Sequence, residues 1–76
     1  MTETMTVQGF PVPETAFQPA LQFILSGKPF SAADVIWRVS AAGIPFRTAE
    51  IAAARYLSRL VRHGRVVAAG KLWRAA

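Results

Sequence analysis

The chain has 76 residues, 53% of them hydrophobic, and no cysteine. It therefore builds one domain around one small core, with neither disulfides nor thiolate metal sites to brace it. The net charge of +5 is unevenly placed: Met1 to Phe46 sums to −1, from Lys28 and Arg38 against Glu3, Glu14 and Asp34, whereas Arg47 onward sums to +6, from Arg47, Arg55, Arg59, Arg62, Arg65, Lys71 and Arg74 against Glu50. Such asymmetry points to an anionic partner. No apolar run approaches the roughly 18 residues of a membrane span. The opening MTETMTVQGF lacks the charged-then-apolar order of a secretory signal. A soluble, cytoplasmic protein is the expectation.

Residues 1–13 hold two prolines and a glycine with no helical period, and predict a flexible N-terminal arm that packs at most through Val7 or Phe10. The domain proper is expected over residues 14–76. Glu14 to Ser26 reads as a first helix, with Phe17, Leu21, Ile24 and Leu25 on one face and Pro19 tolerated near its start. Gly27 and Pro29 stop it.

Ser31 is a suitable N-cap for a second helix, and Asp34 stands where a capping box needs an acceptor. Val35, Ile36 and Val39 form its inner stripe, which Ala32 and Ala42 are able to join. Trp37 falls outside that stripe and should be partly exposed. Gly43 and Ile44-Pro45 turn the chain.

Thr48 to His63 predicts a third helix, N-capped by Thr48, with Glu50 in its first turn. Ala53, Leu57 and Leu60 face inward, flanked by Tyr56 and Val61. Arg55, Arg59 and Arg62 lie within about 60° of one another on the other side, which Thr48, Ile51 and Ala52 share nearer the N-terminus. No acid stands four residues before or after any of these arginines. Their mutual repulsion costs a few tenths of a kcal/mol per pair, which bound phosphates easily offset.

Gly64 closes this helix, and RVVAAGKLWR from Arg65 to Arg74 reads as a β-hairpin. A three-residue loop, Ala68-Ala69-Gly70, would pair Val66 with Leu72 facing the core and Arg65 with Trp73 facing out, in cation–π contact.

Three helices, a short turn between the last two, then a hairpin give a mostly α domain with a small β-hairpin. The stretch ARYLSRLVRHGRVVAAGKLWR, Ala54 to Arg74, resembles the recognition helix, closing glycine and wing of the winged helix-turn-helix superfamily, which includes many bacterial and phage regulators. The resemblance spans about Glu14 to Arg74. It implies a double-stranded DNA partner and a role in transcription regulation. It also implies that the third helix enters the major groove, with Arg47, Thr48, Ile51, Ala52 and Arg55 nearest the bases. Arg59 and Arg62 would lie nearer the backbone, and Lys71 at the wing would reach a phosphate or the minor groove. Ala49, Ala52, Ala53 and Ala54 occupy positions where members often carry hydrogen-bonding side chains, so the expected mechanism is mainly electrostatic docking.

A rival expectation keeps the winged fold but uses it as a protein-interaction module. Trp37, Trp73 and the unplaced Phe10, Phe23 and Phe46 leave much apolar surface for so short a chain, which predicts a homodimer contact or a protein partner. No enzyme is expected. The four acids are scattered, and His63 has no companion ligands. Gly27-Lys28 lacks the residues of a phosphate loop. No catalytic, cofactor-binding or metal-binding residue is therefore assigned, and no cofactor is expected.

Overall fold

The computed structural model describes residues 4–76. The expected arm is replaced over residues 4–13 by an antiparallel hairpin of β1 (Thr4–Val7) and β2 (Phe10–Pro13); residues 1–3 of that arm lie outside the described residues. Gln8 and Gly9 make the turn with φ of 51° and 81°. Two left-handed residues in a two-residue loop are what a type I′ turn requires. Pro11 and Pro13 are tolerated because a two-stranded sheet has only edge strands. Val7 and Val12 are completely buried, so the hairpin belongs to the core.

A 3₁₀ turn, Glu14–Phe17, leads into α1 (Gln18–Leu25), with Pro19 in the first turn as expected. The inward row is Ala16, Ala20 and Ile24, with Phe17 beside it. Leu25, expected inside, is 67% exposed. The helix turns the i, i+4 row begun by two small alanines toward its neighbours, which leaves Leu25 one step outside that row.

The capping box of α2 (Ala32–Ala41) forms as its sequence predicts. The Ser31 N–H donates to Asp34 Oδ2 at 2.8 Å, and the Asp34 N–H donates to Ser31 Oγ at 3.4 Å. Val35 and Val39 are buried and Ile36 is half-buried, while Ala32 and Ala42 stay exposed. Gly43, at φ 94°, makes the left-handed turn toward α3 (Phe46–Arg62). That helix starts before Thr48. Pro45 occupies the N-cap position and no side chain caps it, so Thr48 lies within the first turn and does not cap.

Gly64, at φ 70°, ends α3 and releases β3 (Val66–Ala69) and β4 (Leu72–Ala75). The register differs from the expected one. Val66 pairs with Ala75 and Ala68 with Trp73, closing a two-residue loop at Gly70-Lys71. Gly70 has φ 67° and Lys71 does not enter the positive region, the pattern of a II′ turn. An odd offset in register reverses the faces of a strand. Trp73 therefore turns inward and becomes half-buried, and Leu72 turns outward at 40% exposure. Trp73 stands opposite Ala68, so the expected Arg65–Trp73 pair does not form.

Beyond the hairpin, β4 bonds to one residue between α1 and α2. The Phe30 N–H donates to the Trp73 carbonyl at 2.7 Å, and the Trp73 N–H donates to the Phe30 carbonyl at 2.8 Å. Phe30 is wholly buried and is the bulkiest of the fully buried side chains. The result is a small mixed α/β domain of three helices and two antiparallel hairpins. Its described buried side chains include no polar or charged one. No described helix is long and apolar enough to cross a membrane.

Candidate functional site

The site is built on α3, whose inward arc comprises Ala49, Ala52, Ala53, Leu57 and Leu60. Ala53, Leu57 and Leu60 face inward as their spacing predicts. Ala52 does not face outward: it is 0% exposed and so is removed from any direct contact with a partner. It shares the core with Val7 and Val12 of the N-terminal hairpin. β1 packs on this flank of α3, and Arg55 Nη1 donates to the Thr6 carbonyl at 3.0 Å. The hairpin widens the buried arc, and Thr48 and Ile51 become half-buried beside it.

Arg47, Arg55, Arg59 and Arg62 remain exposed. Arg55, Arg59 and Arg62 line one shallow depression with Ala54 and Ser58, so the structure brings these three together as their helical angles predict. Arg55 has a second duty as the tie to β1. Arg47 stands apart, at the start of the helix, in a separate depression with Glu50, Ile51 and Gln8. Gln8 was absent from the sequence-based set. Its signal was a Gln-Gly pair between Met5-Thr6-Val7 and Phe10-Pro11-Val12, a turn flanked by short alternating runs.

The electrostatic setting of α3 shows at Tyr56, which stacks on Phe17 with ring centroids 4.5 Å apart and planes inclined by 16°. Burial raises its phenol pKa, and the Glu14 carboxylate adds to the rise, while Arg65 and Arg59 pull it back. Tyr56 thus buries its ring while the flanking arginines hold positive charge at its edge.

Next to the arginine depression, and sharing Ala54, Ser58 and Arg62 with it, an open trough of about 450 Å³ lies between α3, Ala32 of α2 and Trp73 of β4. Leu57, Val61, Ala54 and Trp73 supply apolar wall, and Ser58 and Arg62 add polar groups. Lys71 sits exposed in the hairpin turn, and Arg74 is exposed on its outer face opposite Val67. Lys71, expected in the strand just beyond the loop and paired with Val67, lies in the turn itself.

A separate apolar patch lies where α2 and α3 adjoin. Trp37 is 65% exposed and Phe46 47%, with their rings 5.6 Å apart and tilted by 57°. Arg38, by contrast, is engaged within the fold. Its guanidinium lies 3.7 Å over the Phe23 ring, and Nη1 donates to the Asp34 carbonyl at 2.9 Å. His63 lies exposed at the C-cap of α3, and no group of three or more metal-ligating side chains is found among the described residues.

Compared with known proteins, the chain matches no family model, no curated protein and no solved structure.

Proposed function

We propose that this protein is a winged helix-turn-helix domain that binds double-stranded DNA and regulates transcription. The observation that carries the reading is the gathering of Arg55, Arg59 and Arg62 on one exposed side of α3, within a segment that holds a net +6. Phosphates are the natural counter-charge for such a face. The order of elements supports it as well: α1, the Phe30 bridge, α2, α3, then a hairpin whose last strand bonds back to Phe30.

In this reading α3 enters the major groove and β3–β4 rests on the backbone through Lys71. Arg47, Thr48, Ile51 and Arg55 lie toward the bases, and Arg59 and Arg62 toward phosphates. Ala52, being buried, takes no part. Arg55 gives one bond to Thr6, and a guanidinium has five N–H donors, so the tie leaves donors for DNA.

The test is a titration with mixed-sequence duplex DNA across a salt series. Neutralising about four phosphates gives a slope of log K against log salt near −3.6. Replacing Arg59 and Arg62 together by alanine should abolish measurable binding while the helical spectrum stays intact. A folded double variant that binds like the parent sinks this face.

The exposed Trp37–Phe46 pair and the apolar trough favour a second reading, a winged-helix module that docks a protein or a second copy of itself. Absence of DNA binding at low salt, together with sedimentation that depends on concentration and on Trp37, would select it.

A further inference from the structure

The tip of the N-terminal hairpin does not pack back onto the core. Gln8 and Gly9 are both exposed, so the turn faces solvent. Next to Gly9, Gln8 is exposed and shares a depression with Arg47, Glu50 and Ile51 at the start of α3. The hairpin is held in that place by two independent features. Val7 and Val12 are buried in the core, and Arg55 on α3 bonds to the Thr6 carbonyl. Gln8 is therefore positioned by structure on both sides of it.

Its conformation is also informative. Gln8 is the only described non-glycine residue with positive φ, at 51°. Type I′ turns favour asparagine, aspartate or glycine in that position, because those residues enter the left-handed region at lower cost. Gln has the same amide as Asn on a longer stem, so it serves reach more than it serves the turn.

The surroundings decide what that amide would touch. A phosphate is disfavoured, because the Glu50 carboxylate lines the same depression. A neutral, hydrogen-bonding base edge is compatible with both Glu50 and Arg47. The exposed surface of α3 offers few neutral groups for such reading, since Ala54 is blank and Ser58 is its one exposed hydroxyl. A Gln amide can meet the N6 and N7 of adenine with a donor and an acceptor at once.

We infer that the β1–β2 hairpin is a second DNA-contacting element and that Gln8 reads an adenine in the major groove beside the start of α3. This rests on the DNA-binding reading above. It gives the protein a source of sequence preference that the alanine-rich front of α3 lacks.

The test uses the full chain and its Gln8→Gly variant, each selected against duplexes with a randomised centre. Glycine keeps the left-handed turn and removes only the side chain, and Gln8→Asn keeps the amide while shortening its reach. The parent should enrich an A·T pair at one position, preferred roughly 5- to 150-fold over G·C in titrations of single duplexes. Both variants should lose that preference while binding mixed-sequence duplex within about three-fold of the parent, since their phosphate contacts are untouched. Identical enriched sequences for parent and variants overturn the role of Gln8, as does a parent that enriches no sequence. In both of those cases DNA binding itself survives. A parent that binds no duplex at low salt overturns this inference together with the reading on which it stands.

Discussion

Arg55 on α3 donates from Nη1 to the carbonyl oxygen of Thr6 on β1, at 3.0 Å, between residues 49 positions apart in the chain. The bond fastens the N-terminal hairpin to the flank of the helix that bears Arg47, Arg55, Arg59 and Arg62. One arginine thereby belongs to the proposed binding face and to the architecture that shapes it.

Replacing Arg55 by alanine should loosen the hairpin more than the domain. The bond is exposed, so the Thr6 carbonyl can turn to water, and the cost should stay below about 1.5 kcal/mol. Amide exchange should quicken in β1 and β2 and stay unchanged in α2. Equal acceleration in all elements would show that Arg55 does not act on the hairpin in particular.

Phe30→Ala should be far more damaging. The side chain is fully buried, and its backbone ties β4 to the segment before α2. Truncating a buried Phe costs about 3–5 kcal/mol, against a total of about 5–15 kcal/mol for a typical domain. The denaturant midpoint should collapse or the protein should fail to fold, whereas Phe30→Leu should fold with a smaller loss. A Phe30→Ala protein as stable as the parent would contradict the packing.

Ser31→Ala should cost about 1 kcal/mol, by removing the hydroxyl that accepts from the Asp34 N–H and leaving α2 uncapped. Ser31→Gly should cost only a few tenths. Urea midpoints of the two variants give the comparison, and alanine at least as stable as glycine would argue that the box contributes nothing.

Alkaline stability should register Tyr56. Burial raises its phenol above the ordinary value of 10.0, helped by Glu14 and opposed by Arg65 and Arg59. The folded state then holds this proton more tightly than the unfolded state does. The corresponding stability is whole below about pH 10 and is lost as pH climbs through the higher folded value. Thermal midpoints of the parent should fall more steeply above pH 10 than those of Tyr56→Phe. Parallel profiles would exclude the effect.

What could be read from the amino acids alone was whatever is decided locally. Ser31 and Asp34 are three residues apart and made their box. Gly43 ended α2, Gly64 took the left-handed turn expected of it, and Leu57 and Leu60 faced the core. The losses were non-local. Gln8-Gly9 is not the familiar Asn-Gly signal, and Pro11 and Pro13 argued against a strand until both strands proved to be edges. Helical spacing alone does not mark Ala52 as buried, because the core it joins includes Val7 and Val12 of a hairpin far away in sequence. The C-terminal register failed for a related reason: its alternatives differ little locally, and Phe30 holds Trp73 at a position that no short window contains. The arginine cluster on α3 was visible from helical spacing, but the bond from Arg55 to Thr6 was not.

The bridge between Phe30 and Trp73 also bears on how the chain comes into being. During synthesis Phe30 emerges well before Trp73, and until Trp73 follows, the N–H and carbonyl of Phe30 lack the bridge partner they have in the fold. Thr6 waits in the same way for Arg55. Local helices can flicker early, but the Thr6 attachment closes only once α3 has been made, and the Phe30 attachment only once β4 has followed. A product that stops short of β4 would leave the N–H and carbonyl of Phe30 without their strand partner, a loose segment of the kind that chaperones and proteases act on in incomplete chains.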